Sequence, residues 1–285
     1  MRLASEAACT GILVGEGCTL PSASRLVERA LHAGLSIVAL AAPLGDAPAS
    51  PALARKRLPR LAATERDERA AATDLALRAL ALAGSVGTSV VTLRMGPLLL
   101  AARPAELAMF FRRRELDEGD DGEACLMAAI DERRASIGAT LDACRWSLDR
   151  LVREGEQRNL RLALELSATP WSVPSPREGL ELLAGYEGAR LGCVLDPAKL
   201  SVMRRLGLTI SAPRLAALRA SALLVADNEA VGLDTGYLPG LGERDDDVAV
   251  RDGVPAETPV VLVGHPGSTD AEVMAAARAA AESLP

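Results

Sequence analysis

Aromatic side chains are nearly missing from this chain: two Trp, two Tyr and two Phe in 285 residues. The core must therefore be built from Ala, Leu and Val. The scarcity of rings also argues against a stacking platform for nucleic-acid bases. Histidine is as scarce, with only His32 and His265, which sharply limits histidine-based metal or acid–base chemistry. The five cysteines (Cys9, Cys18, Cys125, Cys144, Cys193) are odd in number and scattered, with no C-x-x-C pair. They read as reduced core thiols of a cytoplasmic protein, not as a disulfide framework or a zinc site. No apolar run approaches the roughly 20 residues needed to cross a bilayer, and the N-terminus lacks the basic-then-apolar order of a signal peptide. A net charge of -6 argues against a polyanionic partner. Neither nucleic acid nor a membrane is therefore an expected partner.

What is there is an alternation. Apolar, β-prone runs start near residues 9, 35, 88, 160, 190, 222 and 260, with helical patterns between most of them. Leu35–Ala42 is a continuous apolar run, as expected for a strand buried on both faces, and Thr88–Leu93 reads as the next buried strand. Helices are expected over Pro21–Ala33, Thr64–Val86 (capped by Thr64), Glu123–Arg158 (one long helix or a broken pair) and Arg177–Gly185. Another is expected over Leu200–Ala220, broken near Thr209–Pro213. A charged stretch near residues 103–122 reads as an inserted loop. The R-K-R at Arg55–Arg57 is a phosphate contact or a solvated loop. No composition break divides the chain, so residues 1–285 are expected to form one α/β domain with right-handed crossovers.

The chain is organised around Asn159–Leu200. Two β-prone runs there, L-A-L-E and L-G-C-V-L-D, each end in a carboxylate, Glu165 and Asp196. Ligands of parallel α/β sheets and barrels bind at the C-terminal ends of strands. One such acid is ordinarily a helix cap or a turn former; two on successive strands point to a site. Trp171, in the loop after the first run, is a candidate pocket wall, whereas Trp146 is expected in the core.

These segments resemble the xylose-isomerase-like TIM barrels, the superfamily of the sugar phosphate isomerases and epimerases. Leu162–Glu165 and Leu191–Asp196 resemble strands five and six with their metal-binding acids. Leu223–Asn228 followed by Tyr237–Asp245 resembles strand seven and its P-G-x-G-x-x-D loop, and Val90–Gly96 resembles strand four. The likeness runs in register from about residue 60 to 265. It implies a (β/α) barrel acting on a small sugar or polyol, with one divalent ion of the manganese or magnesium class. In this register Cys9–Gly15 fits the second strand, so the barrel's first strand has no counterpart. Either the chain starts late in its natural reading frame or the barrel is open. Its bare edges are then expected to be covered, by an inserted segment or by a second chain in a homo-oligomer.

The resemblance also exposes departures. The family's metal is held by two glutamates, an aspartate and a histidine. Here Glu165 and Asp196 remain, the strand-seven histidine position is Leu224, and the strand-eight glutamate position is Val263. Lys199 and Arg94 stand where the family has further histidines. His265 is either a third metal ligand beside Glu165 and Asp196 or part of the turn leaving the last strand. Tyr237 is either a ligand-facing phenol or an exposed loop residue. Two carboxylates alone are a poor cage for an octahedral dication. Arg94 and Lys199 are therefore expected to compensate Glu165 and Asp196, leaving the site metal-free. Two functions follow. One is an isomerase or epimerase using Glu165 and Lys199, with Arg94, Trp171 and Tyr237 binding substrate. The other is a non-catalytic binding or scaffold barrel.

Overall fold

The computed structural model describes residues 11–276 apart from 16–17, 46–57, 89, 101–119, 168, 170, 206–210, 212–213, 215, 226–253, 255–257, 263–268, 270 and 273. The first half of the chain forms β1 (Gly11–Val14), α1 (Leu20–His32), β2 (Ser36–Ala42), α2 (Arg66–Ser85), β3 (Val90–Leu93), β4 (Gly96–Pro97) and α3 (Asp120–Gln157). The second half forms β5 (Arg161–Glu165), β6 (Ser172–Val173), α4 (Pro176–Ala184), β7 (Leu191–Leu195), α5 (Pro197–Arg205), β8 (Ala220–Val225) and β9 (Val260–Leu262).

Seven strands make one parallel sheet in the order β1-β2-β3-β5-β7-β8-β9. It curls into a nearly closed barrel with the helices outside. All seven expected strand segments are in it. β1 and β9 stand at the two ends of the order, and no ladder among the described residues joins them.

The alternation of each strand fixes what faces in and what faces out. Ala39 pairs with Val90, Thr92 with Ala163, Glu165 with Val194, and Val194 with Ala222. These positions share the inner face, where Ala39, Val90, Ala163, Val194 and Ala222 form a cluster with Leu13 and Leu224 packed on it. Seven strands enclose a narrower interior than eight, and short side chains fit it. In β7, Gly192 is dictated by close approach: a Cβ there would lie 1.9 Å from the Arg219 carbonyl oxygen of the neighbouring chain segment. The opposite faces, with Leu40, Leu93, Leu162, Leu164 and Leu195, pack against the helices. On α2 the buried stripe Ala72, Ala76, Ala79 and Ala83 lets the helix sit close to the sheet, the consequence of a core with few rings.

Helix ends follow local chemistry, and several differ from expectation. α1 begins one turn-residue early because Thr19 caps it in a reciprocal box with Ser22. α2 is capped by Glu65, not Thr64; its carboxylate accepts from the Asp67 and Glu68 amides at 2.9 and 2.5 Å. α3 is one unbroken helix that already includes Asp120–Gly122; the rest of the charged stretch lies outside the described residues. α5 starts at Pro197, before the expected Leu200, and Ala220 belongs to β8. Trp146 is not in the core. It is 43% exposed, and the Arg69 guanidinium lies 4.9 Å over its ring.

Ser175 caps α4 through a box in which the Glu178 amide donates to its hydroxyl and its own amide donates to the Glu178 carboxylate. Ser175→Ala is expected to cost about 1 kcal/mol, read as a lower urea midpoint with unchanged slope.

Candidate functional site

The C-terminal mouth of the barrel opens into a cavity of about 760 Å3 lined, among the described residues, by Arg60, Arg94, Glu165, Trp171 and Lys199 together with loop residues after β3 and β5. Four of the sequence-derived site residues thus share one cavity. Asp196, 4% exposed, precedes Lys199 by three residues at the start of the same helix. Tyr237 and His265 lie outside the described residues.

Glu165 ends β5 on the inner face and is partly exposed to the cavity. Thr92, buried on the neighbouring β3, donates its hydroxyl to Glu165 Oε1 at 3.1 Å. Thr92 was not singled out from sequence. Its signal is parity: it precedes Arg94 by two residues and faces the same way as Val90. Arg94 follows β3, and its amide donates to the Ala42 carbonyl at 3.0 Å.

Asp196 precedes α5, where one oxygen can cap the helix. Oδ1 accepts the Lys199 amide at 3.2 Å. Oδ2 faces Lys199 Nζ at 3.7 Å. Burial pushes the Asp196 carboxyl above the ordinary aspartate range. Lys199 and the Lys199 and Ala198 amides pull against that rise, and the Glu165 charge adds to it.

A divalent ion, as the sequence resemblance implies, is a poor fit to this donor set. One Asp196 oxygen caps a helix and the other faces an ammonium, so a dication would have to displace Lys199. The strand-seven position is Leu224, an apolar side chain packed on the inner cluster. Among the described residues no three His, Cys, Asp or Glu come together as a metal-binding group. Cys144 and Cys193 are no substitute nucleophiles: burial pushes both thiols up to about 12.

The loops after β3 and β5 are joined by a feature the sequence did not signal. β4 and β6 pair antiparallel, Gly96 with Val173 and Pro97 with Ser172. The Leu98 amide donates to the Trp171 carbonyl at 2.6 Å. This ribbon is the cavity wall to which Trp171 belongs.

The sequence matches no family model and no curated protein. The fold does have solved counterparts. The apo structure of YcjR from E. coli, a 3-keto-D-glucoside 4-epimerase, superposes with a TM-score of 0.67 at 12% identity, over 99% of this chain and 92% of that one. D-psicose 3-epimerase from Clostridium cellulolyticum H10, solved with D-tagatose, gives 0.65 at 11% identity, over 99% and 92%. A xylose isomerase domain protein from Planctomyces limnophilus gives 0.53 at 14% identity, over 99% and 88%. This chain has the xylose-isomerase-like TIM-barrel fold, in a divergent form.

Proposed function

We propose that the mouth cavity binds a small sugar or polyol and that the protein acts on it as an isomerase or epimerase without a resident metal. The observation that carries this reading is the convergence of Glu165, Arg94 and Lys199 on one cavity at the strand ends, in a fold shared with sugar epimerases. Glu165 takes the proton from the carbon next to the ketose carbonyl, and the electron pair moves onto the carbonyl oxygen. The ammonium of Lys199 and the guanidinium of Arg94 stabilise that oxyanion. Delivery of a solvent proton to the other face of that carbon gives the epimer, with the first proton left on Glu165 to be lost to water; return of the proton from Glu165 to the former carbonyl carbon, with the neighbouring hydroxyl proton moving to the oxyanion, gives the isomer.

A second reading has its own support. Asp196 is engaged by its helix and by Lys199, an arrangement that a non-catalytic sugar-binding barrel would also keep. One experiment separates the two. The protein is incubated in D2O with D-tagatose, D-psicose or a 3-keto-D-glucoside, proton NMR follows the carbon next to the carbonyl, and calorimetry measures binding. Deuterium incorporation, persisting after chelation, is the expected result. Binding without exchange would leave the non-catalytic barrel, and no binding to any of these would sink the sugar reading.

A further inference from the structure

The ribbon that walls the cavity is held by the same device twice. Arg133, from the middle of α3, has a side chain only 4% exposed. Its Nε and Nη2 donate to the two oxygens of Glu178 at 3.1 and 2.5 Å, and its Nη1 donates to the Ser172 carbonyl at 2.7 Å. Arg60, from the segment before α2, repeats this. Its Nε and Nη2 donate to the two oxygens of Glu68, each at 2.8 Å, and its Nη1 donates to the Pro97 carbonyl at 3.1 Å. Pro97 and Ser172 are partners across the ribbon. The two clamps therefore grip one residue pair, one strand each.

The sequence provides for both. Only a guanidinium has enough coplanar donors to pin itself to a carboxylate with two nitrogens and still reach a carbonyl with a third. Gly96 leaves room for the stem of Arg60: its φ is +105°, and a Cβ there would lie 2.8 Å from Arg60 Cγ. Glu178 is itself fixed by the α4 capping box, so Arg133 ties the ribbon to a helix start as well as to α3. Behind the ribbon, the Ser167 amide donates to the Pro174 carbonyl at 2.7 Å, two residues from Glu165. The wall and the end of β5 are thus one hydrogen-bonded piece.

We propose that Arg60 and Arg133 are positioning residues that set the width of the ligand cavity by fixing the ribbon before any ligand arrives. The functional side of this rests on the cavity being the ligand site; the mechanical side does not. Pre-ordering the wall removes an entropy cost from binding and leaves the pocket selective for ligands of one size.

The chain has only two tryptophans, so in a Trp146→Phe background Trp171 alone reports the wall. Acrylamide quenching of Trp171 is measured in that background with Arg60→Met, with Arg60→Lys, and with the paired Arg133→Met/Glu178→Gln. The pair leaves no buried carboxylate unpartnered, and glutamine still serves the capping box. Arg150→Met, which cuts only the exposed pair with Asp74, is the control. The expected result is a quenching constant raised about two-fold or more by the ribbon variants through local opening. Arg60→Lys does not restore it, Arg150→Met leaves it unchanged, and far-UV circular dichroism stays the same throughout. A general loss of stability would not move this native-state signal. An unchanged constant in Arg60→Met, which leaves the part-exposed Glu68 solvated and the chain folded, overturns the proposal. Raised quenching in a protein that binds none of the sugars named above keeps the clamps and removes only their assigned ligand.

Discussion

Replacing Glu165 by glutamine is expected to lower deuterium exchange into the ketose that the wild type turns over by about 10²–10⁴-fold, the usual worth of a positioned general base. Glutamine has the same shape and can still accept the Thr92 hydroxyl bond, so the inner face of the barrel keeps its packing. What is lost is the ability to take a proton. Calorimetric affinity for the same sugar is expected to change far less than the exchange rate, because the variant removes an interaction made in the transition state. Equal losses in both would make Glu165 a binding group and would favour the non-catalytic barrel. Thr92→Val is a milder arm of the same test, since it removes only the donor that holds the carboxylate in place.

Lys199→Met is expected to destabilise the fold by about 2 kcal/mol near pH 8, and by much less near pH 4. A fully buried ion pair that loses one partner costs more; Lys199 is 26% exposed, so solvent already shares its work. The pH dependence follows from Asp196. Burial holds its folded pKa above the unfolded one, so the folded chain binds that proton more tightly. The contribution of Asp196 to stability is fully present below the ordinary aspartate range and is lost as pH rises through the raised folded value. Lys199 opposes this rise, and without it the ionised carboxylate is left buried with only its amide donors. The penalty of the variant therefore grows with pH through that window. Urea midpoints of wild type, Lys199→Met and Asp196→Asn/Lys199→Met measured from about pH 4 to 8 check this. A penalty that is flat with pH, or that persists unchanged in the double variant, would mean that the two side chains do not act on each other.

Much of the barrel was legible because its signals are local and repeated. Buried strands such as Val90–Leu93 and Leu191–Leu195 are runs of apolar residues of the right length, and their order along the chain sets the order of the sheet. Glu165, Arg94 and Lys199 line one cavity because strand ends of parallel sheets gather at one mouth; the strand-end rule pointed to Glu165, and the family resemblance to Arg94 and Lys199. What was not legible depends on partners far away in sequence. A ribbon of two residues per strand has no periodicity, and Gly96–Pro97 reads as a turn until Ser172–Val173 is beside it. Arg133 looks like any charge on a long helix; that it is buried follows only from Glu178 and the Ser172 carbonyl. Trp146 went the other way. Its hydrophobic ring suggested the core, yet an arginine over its face lets it stay at the surface. At α2 a glutamate out-competed the threonine beside it as the cap, because its two oxygens reach two amides at once.

The double use of Asp196 bears on how this barrel can drift over generations. A carboxylate that starts a helix is kept by selection for folding, whatever becomes of the reaction next to it. Leu224 has no such duty to the backbone: its side chain packs on the inner cluster, so the space inside the barrel is what constrains it. A strand-end acid that also starts a helix is thus, by itself, poor evidence of catalysis. Inward positions with no duty to the backbone are the better guide, since only packing and chemistry act on them.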